Sequence, residues 1–143
     1  KALQLSKEAT IKGAREINSK PPEVIAITVL TSISPQNFKY ELNRESSIEE
    51  NVLSLSKLTY DAGLDGCVCS PLEVKSLRDK YDDNFKLITP GIRFLIDDIN
   101  DQSRVMSPVE AISNGASRIV VGRAITKSNN PSKIFSEICN SII

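Results

Sequence analysis

The chain has 143 residues, in which 18 Lys and Arg balance 18 Asp and Glu, and it has no histidine. This length allows a single domain with a core. The zero net charge and an aromatic content of only 5% argue against nucleic acid as a partner. Membrane association is not expected either, since no apolar run approaches the ~20 residues that span a bilayer. Without histidine, any catalysis has to use Lys, Asp, Glu, Arg or hydroxyl groups.

The first third of the chain predicts a helix followed by a buried strand. Residues 2–18 carry apolar side chains near one face and charged ones on the other, which indicates an amphipathic helix. The run at 24–30 is continuously apolar, as in a central strand of a parallel sheet. Residues 31–35 form its exit loop, and the polar stretch 36–46 has no clear pattern.

A second helix is predicted at 46–60, because apolar residues recur there at helical spacing. A capping box can form in either of two ways, between Ser46 and Glu49 or between Ser47 and Glu50. Both alternatives stay open at this point.

The remaining chain repeats a strand followed by a helix. Residues 66–69 and 87–89 read as short strands. Each of the segments 70–73 and 107–110 has the order Ser-Pro-x-Glu, which predicts a helix start with Ser as the N-cap. Asn114-Gly115 supplies a helix stop.

A β-branched run at 117–121 predicts a last, fully buried strand that ends at Gly122-Arg123, and Asn130-Pro131 opens a final helix. The whole order is one helix and then four strand–helix units. Such alternation predicts an α/β fold with a parallel sheet and right-handed crossovers. Four units are half of an eight-stranded barrel.

The candidate chemistry lies where the predicted strands end, since ligands of parallel βα folds bind beyond the carboxyl ends of the strands. Two ends place an arginine directly after a glycine-containing turn, at Arg93 and at Arg123. The loop between 94 and 106 adds Gln102, whose amide can close over an anion. Backbone N–H groups and guanidinium groups that converge on one anion are typical of a phosphate site. Solvation at the surface is the alternative for each arginine.

The cysteines and one acidic loop have weaker functional interpretations. Three cysteines at irregular spacing favour a reducing, cytoplasmic compartment over a disulfide framework. Cys67 and Cys69 share a strand face and can ligate a metal, but with no second pair and no histidine a core position is favoured. The acidic loop at 97–101 can bind a cation or form a solvated turn, and the turn is favoured.

Five segments, in this order and spacing, resemble the orotidine 5′-phosphate decarboxylase family. They are Val29-Leu30-Thr31-Ser32, Gly63-Leu64-Asp65-Gly66-Cys67-Val68-Cys69-Ser70, Thr89-Pro90-Gly91-Ile92-Arg93, Asp101-Gln102-Ser103-Arg104 and Val121-Gly122-Arg123. The resemblance implies a TIM barrel that converts orotidine monophosphate to UMP and CO₂ without cofactor or metal. It also implies a homodimer with sites near the subunit interface.

The resemblance assigns binding roles to six residues. Arg93, Gln102, Gly122 and Arg123 match phosphate-binding positions of the family. Thr31 matches a substrate-binding position, and Ser32 lies beside it, near where the pyrimidine would sit.

The family's catalytic array, Lys-Asp-x-Lys-x-x-Asp, is absent from the sequence. The cluster at 79–83 has the wrong spacing and reads as a solvated turn, so no catalytic residue is assigned. Phe94 and Ala124 also stand where the family usually has proline, which questions the rigidity of both phosphate loops.

We therefore expect residues 1–143 to be one C-terminal half-barrel domain, from about helix 4 to helix 8 of the family fold. Its first residue is Lys1 rather than Met, which suggests that the start was removed or that the chain is a piece of a longer one. The expected ligand is a nucleotide monophosphate, OMP or UMP, and no metal or cofactor is expected. A half barrel leaves two sheet edges open, which predicts a homo-oligomer or pairing with an N-terminal half. A non-catalytic remnant or a self-associating half barrel with little ligand binding is the alternative.

Overall fold

A computed structural model describes residues 1–41, 43, 45–93 and 105–143. Helices and strands alternate along the described chain as α1 (Ala2–Glu16), β1 (Ile25–Ile27), α2 (Pro35–Glu41), α3 (Ile48–Asp61), β2 (Gly66–Val68), α4 (Val74–Arg78), β3 (Lys86–Thr89), α5 (Pro108–Ser113), β4 (Arg118–Ile119), α6 (Arg123–Thr126) and α7 (Pro131–Ser141). All neighbouring strands are parallel, in the order β1-β2-β3-β4. The predicted α/β fold, four parallel strands with flanking helices, is confirmed.

The core lies between one face of the sheet and the helices. Residues that are paired in register on neighbouring strands point to the same face of the sheet, and successive residues along a strand alternate between the two faces. On the face toward the helices, one row of paired residues consists of Ala26, Cys67 and Leu87. On the opposite face, the next row consists of Ile27, Val68, Ile88 and Arg118. Cys67 and Leu87 are fully buried, whereas Ile27 is 66% exposed. Among the described residues, helices therefore cover one face of the sheet and leave the other open.

Several sequence expectations about individual elements are confirmed. The box at the start of α3 forms between Ser47 and Glu50, which decides between the two alternatives. Ser107 and Glu110 form the same arrangement at the start of α5. Asn130 caps α7 by accepting a hydrogen bond from the Lys133 N–H group.

Other expectations were wrong. The run at 24–30 forms an edge strand of only three residues rather than a central one. The segment 117–121 is not fully buried, because Arg118 is exposed and Val120 is 51% exposed. The helix predicted to start at Ser70 begins only at Val74, since the Ser70 hydroxyl accepts from the Leu72 N–H group inside a turn.

Two short helices were not predicted. α2 lies in the polar stretch that had no clear pattern, and α6 follows Gly122 directly. α2 has seven residues and α6 has four, so neither is long enough to display a helical period in the sequence.

Arg78, at the end of α4, binds together the loops that enter β3 and β4. Its guanidinium donates to Gly115 O at 3.1 Å, to Ser117 Oγ at 3.0 Å, and to the carbonyl groups of Tyr81, Asp82 and Phe85. Gly115 has φ +101°, and a Cβ there would lie 2.7 Å from Arg78 Cγ. Only glycine allows both this backbone conformation and this close approach. Arg78 therefore satisfies the backbone of two loops with one side chain.

Asp65 holds α1 and the entry to β1 against the amino end of β2. Lys7 Nζ donates to Asp65 Oδ1 at 2.6 Å, and the Val24 N–H group donates to Oδ2 at 2.6 Å. Burial alone would raise the pKa of Asp65, but the hydrogen bonds from Lys7 and Val24 outweigh it and hold the pKa below its ordinary value. The carboxylate form of Asp65 therefore stabilises the fold.

Replacing Arg78 with methionine should lower the free energy of unfolding by about 2–4 kcal/mol, because several carbonyl groups lose a charged donor. Urea unfolding followed by circular dichroism measures this. Lys75→Met is the matched control, since Lys75 is exposed on the same helix. Equal losses in the two variants would contradict the role given to Arg78.

Asp65→Asn should remove a pH-dependent part of the stability. Because the pKa of Asp65 is lower in the folded state, its contribution is complete above the unfolded-state value of about 3.9 and is lost as the pH falls towards the folded-state pKa. The stability gap between wild type and variant should thus be constant from pH 7 to about 5 and shrink below pH 4. Urea unfolding at each pH tests this. For a second variant, Lys7→Met, the difference from wild type in the free energy of unfolding should shrink over the same pH range. A gap that persists unchanged at pH 3 would refute the assignment.

Candidate functional site

The predicted site residues lie at one edge of the sheet. Because all four strands are parallel, their carboxyl ends meet at the same edge, and the chain leaves β1, β3 and β4 there. Thr31 and Ser32 follow β1, Arg93 follows β3, and Gly122-Arg123 follows β4. Gln102 lies outside the described residues, as do Phe94 and the acidic loop at 97–101.

The exit from β1 is a turn in which two neighbouring side chains have different surroundings. The Ile33 N–H group donates to Leu30 O at 3.1 Å, which closes the turn over Thr31 and Ser32. Thr31 is 7% exposed, whereas Ser32 is exposed to solvent. Ser32 is thus the accessible hydroxyl of the two, and Thr31 is held by the protein itself.

The exit from β3 is fixed by backbone pairing with the segment that leads into α5. Arg93 N donates to Met106 O at 3.0 Å, and Met106 N donates to Gly91 O at 3.2 Å. Gly91 has φ +79°, which a residue with a Cβ rarely adopts. Met106 could not be recognised from the sequence, because it contributes only backbone groups to this pairing.

Arg93 is held close to the end of its strand. Its side chain is buried, with 9% of the residue exposed, and Nη1 donates to Ile92 O at 2.7 Å. A guanidinium has five N–H donors, and this hydrogen bond uses one of them. Its burial is unusual for arginine and sets it apart from a solvated surface residue.

The exit from β4 is the beginning of α6. Gly122 is the N-cap, and its carbonyl accepts from the N–H groups of Ile125 and Thr126 at 2.9 and 3.1 Å. Gly122 has φ −108° and ψ −98°, and no described atom lies within 4 Å of the position that a Cβ would occupy. An external group could therefore approach the backbone of this turn closely.

The cysteine pair belongs to the core. Cys67 and Cys69 are free thiols that are at most 1% exposed, and Ser56 Oγ lies 3.4 Å from Cys67 Sγ. The adjacent Cys67 thiol and burial raise the pKa of Cys69 well above its ordinary value. In the part of the chain that the structure describes, no group of three or more Cys, Asp and Glu side chains is placed to hold a metal ion. The core interpretation of the pair is confirmed.

The charged cluster at 79–83 lies at the opposite edge of the sheet. It forms the turn between α4 and β3, so it precedes the amino end of β3. Asp79, Lys80, Asp82 and Asp83 are exposed. The prediction of a solvated turn is therefore confirmed.

No described helix is long and apolar enough to cross a membrane.

Comparison with known proteins identifies the class to which this fold and this strand-end site belong. The family model described as "Orotidine 5'-phosphate decarboxylase / HUMPS family" matches residues 2–138. The chain belongs to this family.

Individual proteins that resemble the chain are named orotidine 5′-phosphate decarboxylase. An orotidine 5′-phosphate decarboxylase of Prochlorococcus marinus subsp. pastoris is 58% identical over 142 residues, which are 99% of this chain and 59% of the relative. The crystal structure of orotidine 5′-phosphate decarboxylase from Lactobacillus acidophilus matches with a TM-score of 0.80 and 36% identity, over 98% of this chain and 57% of that one. The structure of the enzyme from Thermotoga maritima matches with a TM-score of 0.55 and 27% identity, over 89% and 53% of the two chains.

The chain thus spans about three-fifths of the length of the curated relatives that it matches. Four parallel strands with their helices correspond to about half of the barrel seen in the solved relatives. The half-barrel fold predicted from the sequence is confirmed.

Replacing Gly91 with alanine should destabilise the chain by about 1–2 kcal/mol, because it places a Cβ on a backbone with positive φ. Gly13→Ala is the matched control. Gly13 lies inside α1 with nothing within 4 Å of its Cβ position, so alanine there should stabilise by about 0.5–1 kcal/mol. Thermal unfolding of both variants measures the difference. A neutral Gly91→Ala change would mean that the turn before Arg93 does not depend on that conformation.

Proposed function

We propose that this chain is the phosphate-binding, C-terminal half of an orotidine 5′-phosphate decarboxylase, from about helix 4 to helix 8 of that fold. The observation that supports this is the placement of Arg93, Gly122 and Arg123 at the carboxyl edge of one parallel sheet. A phosphate dianion is well matched by two guanidinium groups together with backbone N–H donors.

In this proposal the ligand is a nucleotide monophosphate, OMP or UMP. Arg93, Arg123, Gln102 and the backbone at Gly122 bind the phosphate. Thr31 and Ser32 lie on the nucleoside side of the site. The exposed hydroxyl of Ser32 is the one available to a pyrimidine, while the buried Thr31 holds the turn in place.

The chain alone should not decarboxylate. Loss of CO₂ from OMP leaves a carbanion, which has to be protonated by an acid placed against that carbon. In the family this acid is a lysine of the Lys-Asp-x-Lys-x-x-Asp array, and the sequence has no such array. Turnover therefore requires a second polypeptide segment that carries the array. Adding the N-terminal half of a relative in trans should restore the production of UMP, and an assembled complex without turnover would refute this part.

A second candidate function is a self-associating half barrel with little or no ligand binding. The apolar residues on the open face of the sheet favour it, since Ile27 is 66% and Val120 is 51% exposed. Such a protein would associate but would not recognise nucleotides.

Titration with UMP separates the two candidates. For the phosphate-binding half, Arg123→Ala should weaken UMP binding about 10- to 100-fold, because a charge-assisted hydrogen bond worth about 1.5–3 kcal/mol is lost. Isothermal calorimetry measures the affinity. Arg15→Ala is the matched control, since Arg15 is exposed on α1, and its affinity should equal that of wild type. Absence of UMP binding by wild type would favour the ligand-free half barrel instead.

A further inference from the structure

The segment that follows β1 is anchored in the core on both sides of its turn. Val29 lies before the turn and is 8% exposed, and Phe38 of α2 lies after it and is 4% exposed. Both side chains belong to the hydrophobic core of the described chain, and Ile33 packs against the same core. Between them, Leu30 and Ser32 are exposed. The exposed Ser32 is thus carried by a segment whose flanking residues are buried.

The turn continues directly into α2. The Ile33 N–H group closes the turn by donating to Leu30 O at 3.1 Å. The next residue, Ser34, accepts from the Asn37 N–H group through its hydroxyl at 3.2 Å and from the Phe38 N–H group through its carbonyl at 2.9 Å. Turn and helix therefore form one hydrogen-bonded unit, and a displacement of α2 would displace the turn.

Phe38 is the residue of α2 that holds this unit to the protein. Among residues 35–40, whose burial the structure describes, Phe38 is buried and the others are exposed. Burial of a phenyl ring stabilises more than a single hydrogen bond of a turn does. A helix of seven residues is also too short to be stable by itself. The position of α2, and with it that of the turn, therefore depends on Phe38.

The residues proposed for the phosphate lie elsewhere on the same edge of the sheet. Arg93 follows β3 and Gly122-Arg123 follows β4, whereas α2 follows β1. β2 lies between β1 and β3 in the sheet. We therefore expect a shift of α2 to move Ser32 and to leave the residues after β3 and β4 in place.

We propose that Phe38 is a positioning residue for base recognition, which fixes Ser32 through α2 without touching the ligand. This rests on the proposed function, in which Ser32 lies on the nucleoside side of the site. Phe38 then controls the affinity for the base of a nucleotide and not the affinity for its sugar phosphate. A turn that populates its binding arrangement about one-tenth of the time lowers the affinity of a ligand that needs it about tenfold.

Two ligands separate the base from the phosphate. UMP has both, and ribose 5-phosphate has the same sugar phosphate without the base. Phe38→Ala should weaken UMP binding about tenfold or more, while the affinity for ribose 5-phosphate stays within about twofold of wild type. Isothermal calorimetry measures both affinities. Tyr40→Ala is the matched control, because Tyr40 is an aromatic residue of the same helix that is 74% exposed, and it should bind both ligands as wild type does.

A second measurement uses the wild type, so it does not depend on whether Phe38→Ala folds. Amide hydrogen exchange followed by NMR reports on the N–H groups of Ile33 and Phe38, whose hydrogen bonds hold the turn and the start of α2. Saturating UMP should slow the exchange of both groups about fivefold or more, because the base binds only the closed turn. Saturating ribose 5-phosphate should leave both exchange rates unchanged.

The outcomes distinguish this inference from the phosphate site on which it rests. Equal losses of both ligands in Phe38→Ala, or wild-type UMP affinity in a folded Phe38→Ala, would overturn the inference alone. Equal protection of Ile33 and Phe38 by the two ligands would do the same, as would a wild type that binds UMP no more tightly than ribose 5-phosphate. A wild type that binds neither ligand contradicts the proposed phosphate site itself, and the role given to Phe38 is then overturned with it.

Discussion

A parallel sheet is stable when both of its faces are covered, and this constraint accounts for most of what the chain displays. Helices cover one face of the sheet, where Cys67, Leu87 and Val52 are completely buried. The other face is lined by β-branched residues that have no covering layer in the described chain. Among the described residues, the four-stranded arc thus has its core on the helix side, and its other face carries no covering layer.

The amino and carboxyl edges of the sheet carry different kinds of side chains. At the amino edge, Asp65 and Arg78 form hydrogen bonds to backbone groups of loops that are far apart in sequence. At the carboxyl edge, the loops carry exposed or strand-end groups such as Ser32, Gly122 and Arg123. The hydrogen bonds of Asp65 and Arg78 thus lie at the edge opposite to the one at which βα barrels usually bind their ligands.

Local signals made the order of the elements predictable. Ser107, Pro108 and Glu110 determine a helix start within four residues, so the sequence was sufficient there. The same residue order at 70–73 predicted the helix start wrongly. The Ser70 hydroxyl takes part in a turn there, and the helix begins only at Val74. The burial of the first and last strands was also misjudged. An apolar run indicates that a strand is to be covered, but not whether the covering layer belongs to the same chain.

The placement of the candidate residues at one edge was predictable from the sequence, and their surroundings were less so. Strand ends of a parallel sheet share one edge, which is why the sequence could place Arg93 and Arg123 at the same edge. The contrast between the buried Thr31 and the exposed Ser32 depends on the turn closed by Ile33, and the anchoring of Arg93 depends on the backbone of Met106. Neither involves a residue type that the sequence could single out. The part played by Arg78 was equally hidden, since its partners are mostly carbonyl groups of other loops.

The open face and the loops after β1 and β4 are linked by the barrel geometry itself. The loops after β1 and β4 belong to the two edge strands, so their positions relative to each other depend on how the arc is closed. Arg123 follows β4 and Thr31 follows β1, and closure brings a further strand against each of them. Whatever layer covers the inner face therefore also fixes the distance between the loop after β1 and the loop after β4. Under the proposed function, nucleotide affinity should depend on that layer, because the ligand would favour the closed form by its differential affinity for it.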